Sequence, residues 1–147
     1  MEIIKVTASE VELAANLFDQ YRVFYGNESD EALARTFIGE RIANAESVVF
    51  LAKDDSGNAV GFTQLYPTFS SVSAQRSWIL NDLYVSADVR GQGYGKALMN
   101  AAKDFAIETG AKGLALETAH DNQNAQKLYE SLGYQRDEHY YSYFLSV

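Results

Sequence analysis

The chain has 147 residues, 47% of them apolar and 22% charged, the balance of one soluble globular domain spanning residues 1–147. Cysteine is absent, which excludes disulfides, thiolate nucleophiles and zinc–thiolate sites. A net charge of -8 argues against nucleic acid and anionic membranes as partners and for cationic small molecules or basic peptides. The N-terminus carries no basic-then-apolar leader and no window reaches the length of a membrane span, so the expected location is the cytoplasm.

Residues Glu2 to Thr7 alternate as a strand, and Ser9-x-x-Glu12 reads as a capping box that opens a helix. Ala14, Leu17, Phe18, Tyr21 and Tyr25 form its apolar stripe, and Gly26 ends it. A second helix enters through Asn27-Glu28-Ser29-Asp30 and carries Leu33, Phe37, Ile38 and Ile42. Ser47 to Lys53 and Ala59 to Tyr66 then read as a hairpin around Asp54-Asp55-Ser56-Gly57-Asn58. A loose polar stretch, Ser70 to Ser77, precedes a central strand from Trp78 to Val85.

Behind that strand stands Arg90-Gly91-Gln92-Gly93-Tyr94-Gly95-Lys96, and a third helix begins at once, with Leu98, Ala101, Ala102, Phe105 and Ala106 on one face. Gly110 closes it. Gly113 to Thr118 reads as a strand parallel to the central one, and a fourth helix bears Ala125, Leu128, Tyr129 and Leu132 up to a C-cap at Gly133. The aromatic tail, Tyr134 to Val147, suits a closing hairpin, with Tyr140, Tyr141, Tyr143 and Phe144 serving either an interface or the core.

The glycine loop is the informative element. Glycines at a strand-to-helix junction let main-chain amides approach a ligand closely, and the N–H groups of the first helical turn point the same way. Arg90 and Lys96 add positive charge, so the loop reads as an anion pocket on an acidic protein. It is not a P-loop, because Ala97 follows the lysine, nor a dinucleotide fingerprint, whose Gly-x-Gly-x-x-Gly spacing Gly95 breaks.

Arg90-Gly91-Gln92-Gly93-Tyr94-Gly95 resembles the acyl-coenzyme A signature of the GNAT superfamily of N-acetyltransferases. Asn122-x-x-Ala125-x-x-Leu128-Tyr129-Glu130-x-x-Gly133-Tyr134 resembles its second block. The resemblance implies an α/β (α+β) fold with a mixed, mostly antiparallel sheet splayed between the central strands and flanked by about four helices. It implies acetyl-CoA as co-substrate, with Leu83, Tyr84 and Val85 meeting the pantetheine through their backbone. The amides of Arg90, Gly91, Gln92, Gly93, Tyr94, Gly95 and Lys96 are expected to hold the pyrophosphate, and Asn122 to add a side-chain contact.

Tyr129 matches the family position for a general acid that protonates the departing thiolate. Diamine acetyltransferases carry a glutamate where this chain has Asn81; Asp82, which alternation would send to the opposite face, is one candidate base, and a water chain that deprotonates the ammonium is the other route. Tyr25, Glu28 and Asn81 are candidate contacts for the acceptor, a small-molecule or peptide amine, and a homodimer is implied by analogy alone. The missing glutamate keeps an alternative open, a non-catalytic acyl-CoA sensor. Neither His120 nor His139 has a second ligand at metal spacing, so no metal is expected.

Overall fold

The computed structural model describes residues 1–147, which divide into two compact units, Met1–Leu116 and Glu117–Val147. In the first, five strands stand in sequence order: β1 (Glu2–Lys5), β2 (Val48–Lys53), β3 (Ala59–Ser70), β4 (Gln75–Val85) and β5 (Leu114–Ala115). Neighbours pair antiparallel except β4 and β5, which run parallel. Helices α1 (Val11–Phe24), α2 (Glu31–Ala43) and α3 (Tyr94–Glu108) complete this unit, and α4 (Gln123–Ser131) belongs to the second. No helix is long and apolar enough to cross a membrane.

Burial follows the apolar stripes of the sequence. Ala14, Leu17 and Phe18 of α1 and Ala34 and Ile38 of α2 are buried with Val49, Leu51 and Phe62 of the sheet. The Phe18 ring stacks on Phe37 at 5.4 Å and meets Phe62 edge-on at 6.3 Å, geometries aromatic pairs prefer. Leu33, expected on the buried stripe of α2, is 47% exposed, and Ala34 takes the inward position instead. Asp30 caps α2 by accepting from the Leu33 amide at 3.1 Å.

Several local expectations change. The capping box forms two residues earlier than Ser9 and Glu12: the Thr7 hydroxyl accepts from Ser9 N–H at 3.3 Å, and Thr7 N–H donates to Glu10 at 2.9 Å. Thr7 is still extended as it leaves β1 (φ -115°, ψ -175°), the backbone an N-cap requires. Ser70 to Ser77 is no loose connection but the end of one long hairpin, paired from Thr68↔Ser77 to Ser70↔Gln75. The parallel strand expected over Gly113 to Thr118 shortens to Leu114–Ala115, and the tail forms no closing hairpin. Tyr140, Tyr141, Tyr143 and Phe144 are all more than 80% exposed, so they build no core, and β-propensity alone makes no strand of them.

The sheet and α3 come close at Gly61. A Cβ there would lie 2.9 Å from the Tyr84 carbonyl oxygen and 3.3 Å from a Leu98 methyl, and the backbone atom cannot yield cheaply. Gly61→Ala is expected to lower unfolding free energy by about 1–3 kcal/mol in a denaturant titration, the usual cost of overpacking. An unchanged midpoint would mean that β3 and α3 part without strain.

Candidate active site

The pairing between β4 and β5 ends at Ile79↔Ala115, so the edge of β4 from Leu80 to Val85 has no strand beside it there. Unpaired strand edges carry main-chain donors and acceptors that need partners. Leu83, Tyr84 and Val85 lie on this stretch, as the resemblance implies. One acceptor is already used: Arg90 Nε donates to the Val85 carbonyl at 2.9 Å. The expected role of Val85 therefore narrows, because this carbonyl is held within the chain.

Beyond β4, Ala87–Val89 makes one 3-10 turn, and the chain enters α3 through the glycines. Gly91 and Gly93 have φ of 80° and 90°, and nothing lies within 4 Å of a Cβ built on either. That conformation favours glycine and turns successive amides outward. The amides of Gly91, Gln92 and Gly93 donate to no acceptor in the protein, and Ala97 N–H is the first to bond back, to Gly93, at 3.0 Å. The N–H groups of Tyr94, Gly95 and Lys96 then have no partner four residues behind.

The electrostatics of this helix start run against habit. Its first turn has no acidic residue and holds Lys96, although the helix dipole there disfavours a cation. An anion seated on the amides removes the conflict. Tyr94 differs from the rest of the loop: its side chain is 8% exposed and anchors α3. Arg90 stands 5.3 Å from the Phe24 ring and 5.7 Å from Tyr84, so α1 and the loop share one guanidinium.

Opposite β4, a β-bulge changes the expected arrangement of Asn81 and Asp82. Gln64 pairs with Asp82 and Leu65 with Leu80, which leaves Asn81 as the extra residue. Simple alternation fails there, and the two side chains meet: Asn81 Nδ2 donates to Asp82 Oδ1 at 3.0 Å. Gln64 Nε2 donates to Asp82 Oδ2 at 2.7 Å and to the Tyr66 hydroxyl at 3.1 Å. Asp82 is 4% exposed and has no cation within 4.0 Å, so its charge is met by neutral donors alone, the Gln64 and Asn81 amides and the Tyr21 hydroxyl.

Two tyrosines report that charge. Burial, and then the Asp82 carboxylate, push the Tyr21 hydroxyl far above the ordinary phenol range; the same two causes, in that order, raise Tyr66. Both phenols stay protonated at neutral pH and have hydrogens to donate. Tyr25 packs edge-on to Tyr21 at 4.9 Å but is 65% exposed, consistent with a contact surface, not core. Glu28 is exposed and makes no ion pair, and nothing in the geometry draws it toward Asp82.

In the second unit, Asn122 is the N-cap of α4, its Oδ1 accepting from Ala125 N–H at 3.3 Å. Its amide nitrogen donates to no group in the protein. Tyr129 lies on α4, its ring 6.1 Å from that of Tyr134. The Tyr134 oxygen is buried without a partner, and burial, followed by Tyr129, raises its hydroxyl.

Gln64 and Tyr66 are the members of the Asp82 cluster that the sequence does not single out. The available signal was a polar Thr63-Gln64 pair inside the otherwise apolar run from Val60 to Leu65.

Comparison with known proteins points the same way as the loop. The model of the acetyltransferase (GNAT) family matches residues 13–134. The "uncharacterized N-acetyltransferase YhfO" of Bacillus subtilis is 47% identical, over 100% of this chain and 98% of its own. A crystal structure of a probable acetyltransferase is 42% identical and superposes with a TM-score of 0.95, over 100% and 98% of the two chains. The aminoglycoside acetyltransferase AAC(6')-Iy, in complex with the bisubstrate analogue CoA-S-monomethyl-acetylneamine, shares the fold at a TM-score of 0.80 and 22% identity, over 99% and 98%.

Proposed function

Because this chain belongs to the acetyltransferase (GNAT) family, we propose that it transfers the acetyl group of acetyl-CoA to the primary amine of a cationic acceptor. That acceptor is a small molecule, or a lysine or N-terminal amine of a peptide. When bound, acetyl-CoA supplies an activated thioester; everything else is the work of this chain's residues. Outward-facing amides from Gly91 to Lys96, with no internal acceptor through Gly93, fit a diphosphate, and the open space at both glycines leaves room for it. Lys96 contributes charge beside them, while Arg90 keeps the loop against β4. The similarity to a protein that binds a CoA bisubstrate analogue supports the same reading.

The observation that carries the acceptor class is Asp82. A buried carboxylate whose partners are all neutral favours a cationic group in contact with it over a neutral or anionic one, the Coulomb gain working against the desolvation of both ions. Asn81, exposed and bonded to Asp82, offers a carbonyl oxygen at the surface, and Tyr25 adds an aromatic face for a cation. Asp82 holds the ammonium and, as the candidate base, takes its proton directly or through a water; the neutral amine then attacks the thioester carbonyl and the thiolate departs. Tyr129 is the group assigned to protonate the leaving thiolate, as the family resemblance implies.

A thiol-release assay with acetyl-CoA against a panel of amines tests this reading. Diamines, amino sugars and lysine peptides are expected to release CoA, and anionic or neutral amines to lag by about tenfold or more, the worth of one charge-assisted contact. Preference for neutral or anionic amines contradicts it.

A further inference from the structure

At the far end of α3 from the glycine loop lies a cavity of about 440 Å³, bounded by Lys5, Val6, Ile42, Ala45, Ser47, Val48, Arg76, Trp78 and Thr109. A helix of this length puts it roughly 20 Å from the loop. It is a separate place, built where the start of β2, the start of β4 and the end of β1 converge, within the size range of small-molecule sites.

Its chemistry is opposite in sign to the protein. Two cations line it and no acid does, in a chain of net charge -8. Neither Lys5 nor Arg76 has a carboxylate within 4.0 Å, whereas Arg35 and Arg41 each have one or more. Both are held by rings instead: Lys5 Nζ lies 5.0 Å from the Phe105 centroid, and the Arg76 guanidinium stands 5.0 Å from Phe69 and 5.3 Å from Trp78. Ring contacts fix these groups yet leave their N–H donors free.

A second observation is independent of the cations. Ser47, 6% exposed, lines the same cavity, and its buried Oγ has no hydrogen-bond partner. Such a group is costly unless something in the cavity meets it. The last carbonyls of α3 beside the cavity are already bonded: Thr109 N–H and hydroxyl donate to the Phe105 carbonyl, Gly110 N–H to that of Ile107 and Ala111 N–H to that of Ala106. Trp78 Nε1 is spent on Thr109 Oγ1 at 2.9 Å, so its ring offers a flat apolar wall.

We propose that this cavity binds a small organic anion, its carboxylate or phosphate held by Lys5, Arg76 and the Ser47 hydroxyl and its apolar body set against Trp78, Ile42 and Val48. The site does not depend on the acceptor assigned above. Trp78 is the one tryptophan of the chain, so its fluorescence reports occupancy directly. Benzoate and phenyl phosphate are the probes that distinguish the two anionic groups, and benzyl alcohol is the neutral control. At least one anion is expected to shift Trp78 emission saturably while the alcohol does not, with Arg76→Gln and Lys5→Gln each weakening binding about tenfold. Acetyl-CoA affinity should be unchanged in both variants. Lys5 is exposed, so its variant decides the matter even if removing Arg76 disturbs the fold. Absence of a saturable response to both anions, or wild-type affinity in Lys5→Gln, overturns the proposal.

Discussion

Gly93→Val is expected to raise the dissociation constant for acetyl-CoA by about 30-fold or more, with only a modest loss of stability. Gly93 is the N-cap of α3 and holds φ at 90°, where a β-branched residue is strained. No neighbour lies within 4 Å of the added Cβ, so the change acts through backbone conformation and not through a clash. Relaxing φ to a negative value rotates the adjoining amides away from the position in which they face solvent together. One or two charge-assisted bonds to a phosphate oxygen are then lost, each worth roughly 1.5–3 kcal/mol. Isothermal titration reads the affinity, and a parallel thermal melt separates it from folding. Wild-type affinity in a folded variant would mean that the loop's amides do not hold the donor.

The second large effect is assigned to Tyr129. Tyr129→Phe keeps the ring that faces Tyr134 and removes one hydroxyl. If that hydroxyl protonates the thiolate, turnover falls about 100-fold or more, while the Michaelis constant for acetyl-CoA stays near wild type. Tyr134→Phe is the matched control. Its hydroxyl is buried without a partner, so its removal should leave turnover intact and cost little or no stability. Equal turnover in Tyr129→Phe and wild type excludes the tyrosine as the acid; equal losses in both variants assign the effect to packing.

The reach of sequence reasoning differed between these sites for physical reasons. The glycine loop was legible because its signal is local: alternating glycines, a strand ahead and an apolar stripe behind fix where the amides point, and the φ values of Gly91 and Gly93 agree. Helix ends at Gly26, Gly110 and Gly133 were legible for the same reason, each having positive φ. The Asp82 cluster was not, since it depends on a bulge created by pairing with β3, and alternation along β4 alone predicts the wrong face. Asp19 was overlooked on α1; it is 5% exposed and fastens the α1–α2 connection, accepting from Ser29 Oγ at 2.6 Å and Asp30 N–H at 2.7 Å. The cavity around Trp78 joins residues from Lys5 to Thr109, so no local pattern marks it. The tail shows the converse: its aromatic residues have a strong strand propensity, yet residues 134–147 hold no strand, because propensity is a weak guide without packing to support it.

In a crystal of the complex with coenzyme A, pyrophosphate oxygens are expected within hydrogen-bond distance of the amides between Gly91 and Lys96, with the Gly93 backbone kept at positive φ. Those amides turned inward, with the nucleotide lodged beside Lys5 and Arg76 or anywhere else, would contradict the assignment of the donor to this loop.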